Sequence, residues 1–422
     1  MRHAGFAVFL LPAIAWAAQP PDESKLALAR LAETAAQLAS ISAPADRDAL
    51  EADTLEIPPA AAELHRRFKS RFGELLEAWP HAPSHEAWEG LSASLRQAGV
   101  EVRIRRHDAA SLGAEESDAR QWFGRVYGVQ VTRPPGHPHL LAVTLELSLG
   151  VGTDTTLYLI ETRGDRVRHL LEWSAEQALA LNDSTRGETT LPGAQHGLDH
   201  FEYRLSPADQ DGRFFVVVGW VAPRYVSNWG WVQWAILRPG QDAESPAVLT
   251  HGSDSAYDCF DECFSLSVDG SLVTIEYTGA QELDAGLLTR SLRHRIRVTG
   301  DQAEQSAPPA VEPQGFVADW ARSDWERAQE WSNPANTALA DWHAQVLREG
   351  SYTEFNRRWV DACPPATKAH VVELLVTPDE GVERFLFFRV AEAGESFRLE
   401  EVTEQAPVGE GWIKIDACPD GP

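Results

Sequence analysis

Residues 214–221, "FFVVVGWV", constrain the architecture of this 422-residue chain more than any other segment. A strand that meets water on one face alternates apolar and polar residues, whereas this one is apolar on both. It must run through the interior of a sheet that is covered on each side. A lone sheet with one wet face would have no use for it.

The surrounding pattern agrees. From Trp122 to about Thr299 the hydrophobic period is two, and turn signals such as "RGDR", "PADQDGR" and "SVDGS" divide the stretch into short segments. The spacing predicts an antiparallel meander that includes Leu140 to Leu149, Thr155 to Glu161, Val167 to Trp173, Trp231 to Leu237, Ser271 to Tyr277 and Leu287 to Val298. Before it the period is helical. Leu28, Leu31, Ala35 and Leu38 form one stripe, Leu64, Phe68, Phe72, Leu75 and Trp79 a second, and Leu91, Leu95 and Ala98 a third ended by Gly99.

After it, residues 300–315 are polar and rich in Pro and Ala, the composition of a linker. Two helices should follow, Phe316 to Trp331 and one opening at Asn333-Pro334, then a short helical piece over 351–362 and four strands. The expected fold is mixed and multi-domain. A helical N-terminal region (18–99) leads to an antiparallel β-rich middle domain (100–299), either a sandwich or a propeller-like meander. The linker (300–315) joins this to a small α+β C-terminal domain (316–422).

Residues 1–17 have the order of a signal peptide: a basic start at Arg2, an apolar stretch, and Ala15-Trp16-Ala17 as the cleavage site. The apolar stretch is shorter than the roughly 20 residues that cross a bilayer, and no later window is both long enough and free of charge. The expectation is therefore a periplasmic or secreted protein with no membrane span. The formal net charge of −26 repels phosphate backbones, so no nucleic-acid partner is expected, and the one basic stretch, 102–108, has the pattern of a strand's polar face.

Export governs the reading of the four cysteines, Cys259, Cys263, Cys363 and Cys418. Three pairings are possible, and the domain boundary favours Cys259 with Cys263 and Cys363 with Cys418. The long C-terminal loop would gain about 4 kcal/mol and the short one about 2 kcal/mol from the crosslink. Asp258, Asp261 and Glu262 beside the short pair raise a thiol's pKa, which argues for a stapled turn over a redox dithiol. The same acids leave a cation-binding loop as a second reading. His196 and His200 lie four apart, a spacing that would share a metal on a helix. The strand-like "FEYRL" that follows would instead separate them by about 13 Å.

Tryptophan is the compositional anomaly, with 15 residues. In "SNWGWVQW" an extended chain puts Trp229 and Trp231 on one face and Trp234 on the other. Exposed aromatics of this kind stack against sugar rings, and buried ones fill a core. Nucleophile elbows, Walker loops and dinucleotide fingerprints do not occur. His251 and Ser253 sit close together in "THGSDSA", which is cheap proximity in a Ser-rich segment. No cofactor is indicated. The sequence thus favours a binding or structural protein over an enzyme, with a carbohydrate or a protein as partner. The alternatives are glycan binding through Trp229 and Trp231, and a metal-assisted hydrolase using His196, His200, Asp258 or Asp261.

Overall fold

The structure is a computed structural model and describes residues 22–40, 59–79, 85–100, 126–148, 153–163, 166–174, 177, 181, 200–223, 229–240, 243–257, 264–283, 286–305, 307–349, 352–376, 383–406 and 411–418. The signal peptide expected over 1–17 lies outside these residues. No helix among the described residues is long and apolar enough to cross a membrane.

The fold is β-rich, with four antiparallel sheets, none of which closes on itself. Sheet I runs in simple order through β1 (Val126–Thr132), β2 (Leu140–Ser148), β3 (Thr153–Arg163) and β4 (Arg166–Ser174). Sheet II does the same through β5 (His200–Leu205), β6 (Val216–Pro223), β7 (Trp229–Arg238) and β8 (Ala247–Tyr257). Sheet III comprises β9 (Phe264–Asp269), β10 (Leu272–Leu283), β11 (Gly286–Thr299) and β12 (Gln302–Gln305). Sheet IV has the order β16-β15-β14-β13-β17, with β13 at Tyr352–Val360, β14 at Ala369–Val376, β15 at Arg384–Ala393, β16 at Ser396–Thr403 and β17 at Ile413–Lys414.

Alternation along each strand decides how these sheets stack. On sheet I, Leu141, Val143, Leu145, Leu147, Tyr158 and Ile160 face three helices, α1 (Asp22–Ala39), α2 (Pro59–Ala78) and α3 (His85–Gln97), and join Leu31, Phe68, Phe72 and Leu91 in one core. Their neighbours Leu140, Ala142, Leu157, Leu159 and Trp173 face the other way. There they meet Val216, Val218, Trp220, Ala235 and Leu237 of sheet II. The opposite face of sheet II presents Val217, Val221, Val232, Trp234 and Ile236 to Val273, Ile275, Leu292 and Ile296 of sheet III. Strand β6 is therefore interior to its sheet and buried on both faces, as its doubly apolar pattern requires.

The third core continues into α4 (Pro313–Arg322), α5 (Trp325–Glu330), α6 (Leu339–Glu349) and the buried face of sheet IV, including Phe316, Trp320, Phe388 and Leu399. Cys363 and Cys418 form a disulfide with Cα atoms 5.5 Å apart, closing a sequence separation of 55 residues beside the β13–β17 pair.

Four local readings are corrected. The helix expected to open at Asn333-Pro334 begins at Leu339, after turns at 334–335 and 337–338. The short helical piece expected over 351–362 is strand β13, because Tyr, Thr, Phe, Trp and Val suit a pleated surface and β13 finds partners on both sides. The single helix expected from Phe316 to Trp331 is broken at Ser323-Asp324, where the Asp324 carboxylate accepts from the Arg327 N–H and caps a new helix. Residues 300–315 are not a bare tether. Gln302–Gln305 pair with β11, and Arg293 N–H donates to the Pro309 carbonyl while Val311 N–H donates to that of Ser291.

Glycine 219 shows how closely sheets II and III approach. A β-carbon there would lie 2.0 Å from Cζ of Phe264. Gly219→Ala is expected to lower the unfolding free energy by at least about 1–3 kcal/mol in urea titration. Adding Phe264→Leu should recover part of the loss; no recovery would mean that the Gly219–Phe264 contact is not the cause.

Candidate functional site

Between the facing surfaces of sheets II and III lies a cavity of about 470 Å³. Register settles which side chains can reach it. On sheet II, Trp234 pairs with Gly252, Thr250 with Ile236, and Asp254 with Val232, so these residues share the face turned to sheet III. On sheet III, Tyr277 pairs with Leu292, Gly279 with Arg290, and Gln305 with Ile296, placing Arg290, Leu292, His294 and Gln305 on the face turned back. Asp319 and Arg322 at the end of α4, with Arg327 and Trp331 of the α5 region, form the remaining wall.

Two fixed arrangements organise the polar groups. Arg290 on β11 is held between acids from two other elements. Its Nη2 donates to Asp254 Oδ2 at 2.9 Å, and its Nη1 donates to Asp319 Oδ1. Its side chain is 10% exposed, so both pairs are shielded from water and salt. Asp254 reaches Arg290 across Gly279, where a β-carbon would come within 3.1 Å of the carboxylate. Burial raises the Asp319 carboxyl to about 6, against the pull of Arg290.

The second arrangement is a chain of hydrogen bonds. Gln305 Nε2 donates to the Ala307 carbonyl, which turns its Oε1 toward His294 Nδ1 at 3.1 Å; His294 Nε2 then accepts from the Tyr277 hydroxyl at 2.9 Å. Burial lowers His294 to about 4, and burial followed by the nearby Asp254 charge raises Tyr277 well above its usual value. Both are neutral across the physiological range. Their rings stack 5.5 Å apart at 17°, and the Trp234 indole, lying over Gly252, packs 5.3 Å from the imidazole.

A further set of perturbed groups lies between α2 and sheet I. Lys69 Nζ donates to Asp154 Oδ2 at 3.0 Å with both side chains buried, and the Tyr158 hydroxyl donates to the Lys69 carbonyl. Burial lowers His65 to about 4 and raises Glu172 to about 7. These groups tie the helical layer to its sheet, and structural networks of this kind perturb pKa values without catalytic purpose.

The residues singled out by sequence fall elsewhere. Trp229 and Trp231 are half-buried on the face of β7 opposite Trp234, and Trp229 packs edge-on against Tyr257 at 5.3 Å. His251 and Ser253 pair with Ala235 and Gln233, so their side chains are on that opposite face too and only border the cavity. His200 opens β5 with its backbone paired to Val221. His196, Asp258, Asp261, Cys259, Cys263 and the basic stretch 102–108 lie outside the described residues. Among the described residues no group of three or more His, Cys, Asp or Glu is placed to hold a metal ion.

Sequence reasoning missed Arg290, Asp319 and His294; Trp234 it placed on the face opposite Trp229 and Trp231 without giving it a site, and Asp254 it counted only among the acids of the 254–262 stretch. No protein-family model matches the chain, and no curated protein matches it either.

Arg290→Met should strand two buried carboxylates and cost about 3–5 kcal/mol in a urea titration, far more than the same change at exposed Arg297. The pH dependence has a defined sign. Between 6.5 and about 4 the unfolded chain protonates His294 while the folded chain refuses it, so this group's contribution is complete above 6.5 and is lost as pH falls toward 4. Asp319 acts oppositely, its ionisation opposing folding as pH rises from 3.8 through about 6. His294→Gln should therefore flatten the acid limb of stability against pH; an unchanged limb would contradict the burial argument.

Proposed function

We propose that this chain is an exported binding protein that holds a small polar ligand in the cavity between sheets II and III. The observation that carries the proposal is the fixed polar wall: Arg290, Asp254, His294 and Gln305 are oriented by one another on packed strands. Ligand sites combine apolar surface with a few polar groups set in advance, and 470 Å³ lies in the usual size range. Trp234, Leu292, Ile296 and Trp331 supply the apolar part.

Binding fits the protonation states better than proton transfer does. An efficient general acid or base titrates near the working pH. His294 and Tyr277 are instead locked neutral, and Asp319, although burial raises its carboxyl to about 6, is bonded to Arg290. The signal-like N-terminus, the Cys363–Cys418 disulfide and the acidic surface support export to the periplasm or medium.

The aromatic patch of Trp229 with Tyr257, the latter 37% exposed, supports a secondary glycan contact on the other face of sheet II.

A thermal-shift panel of small sugars, carboxylates and phosphate esters tests the cavity reading. At least one compound should raise the melting temperature of the native protein, increasingly with concentration. Ala303→Trp, which fills the cavity from edge strand β12, should abolish that response. An equal response in this variant, or none from any compound in the native protein, would refute the site.

A further inference from the structure

We propose that the ligand is a sugar carboxylate of hexuronate size, with its carboxylate on Arg327 and its ring between the aromatic walls. This rests on the cavity being a ligand site and specifies what the site takes.

Arg290, Arg322 and Arg327 line the cavity with Asp254 and Asp319, an excess of one cation in a chain whose formal charge is −26. Arg290 cannot supply the attraction, because both acids already hold it. Arg327 differs. It forms no ion pair among the described residues, and its guanidinium lies 5.4 Å from the centre of the Trp331 ring. Its side chain lines the cavity together with Asp319 and Trp331. An arginine laid over an indole is pre-oriented, and its planar fork matches the two oxygens of a carboxylate.

The rest of the wall selects among anions. Trp234, Tyr277 and Trp331 line the cavity with flat apolar surface suited to a ring face. Thr250, Asp254 and Gln305 add hydroxyl, carboxylate and amide groups that can exchange hydrogen bonds with ring hydroxyls. A benzoate-like acid would offer no hydroxyl to Thr250 or to the remaining hydrogen-bonding capacity of the Gln305 amide. A phosphate monoester would carry a second negative charge into a space that Asp254 and Asp319 already border. A sugar bearing one carboxylate satisfies all three conditions.

The test is titration calorimetry on the full secreted chain with D-galacturonate and D-glucuronate, beside galactose, glucose, benzoate and glucose 6-phosphate. One or both uronates should bind roughly tenfold or more tightly than the matching neutral sugar. Arg327→Ala should erase that preference, and because Arg327 is exposed its melting temperature should stay native. Arg327→Lys should restore part of it. Equal binding of uronate and neutral sugar, a preference for benzoate or glucose 6-phosphate, or a uronate preference that survives Arg327→Ala would each overturn the proposal. All three would leave the cavity standing as a site if Ala303→Trp still blocks binding. Silence from every probe here, with a compound from another class bound and blocked by Ala303→Trp, would overturn the sugar assignment alone.

Discussion

The burial of sheet II on both faces is the constraint on which the rest of this molecule depends. Because successive residues of a strand point to opposite faces, β6 and β7 contribute one set of side chains to the contact with sheet I and the complementary set to the contact with sheet III. A shift of one residue in either strand would exchange the two sets. Trp220 would lose its Gln233 partner at 2.5 Å, and Trp234 would leave the cavity. Register in sheet II therefore fixes two interfaces and one wall of the cavity together.

The packing between sheets II and III is incomplete where the cavity lies. Leu, Val and Ile close most of the interface, but at one end the facing positions carry Asp254, Arg290 and His294, which cannot pack as densely as aliphatic groups and must be hydrogen-bonded. The three-element clamp on Arg290 compensates by tying β8, β11 and α4 to one another. Breaking it would loosen the helical wall as well as the floor.

Much of the fold was legible in the sequence, and the site was not. The period-two pattern located most strands of the first three sheets to within three residues, because alternation survives where a face is buried, but β8 and β10 each run six residues past the expected ends at His251 and Tyr277, and those extensions carry Asp254 and Gly279. Two other exceptions have physical causes. Strand β12 is four residues long and lies at an edge, too short to show a period, and β13 carries aromatics at spacings that suit a helix as well as a strand. The site escaped because Asp254, Arg290 and Asp319 come from segments 36 and 29 residues apart, joined only by folding. Two signals were present nonetheless. Arg290 and His294 interrupt the apolar stripe of Leu288, Leu292, Ile296 and Val298, and Gly252 and Gly279 sit inside strands, where glycine marks a close approach. The tryptophan cluster pointed to the correct strand but to its other face.

The disulfide at the C-terminal end has a consequence for how this molecule behaves among its own copies. Strand β17 is only two residues long, yet it covers part of the outer edge of β13 by pairing with Trp359 and Val360. Such a short strip has little hold of its own, and the covalent link from Cys418 to Cys363 keeps it in place. Reduction would free the tail and uncover main-chain donors and acceptors beside an aromatic residue, a template for head-on strand addition between molecules. The crosslink thus guards colloidal behaviour as much as it guards the fold.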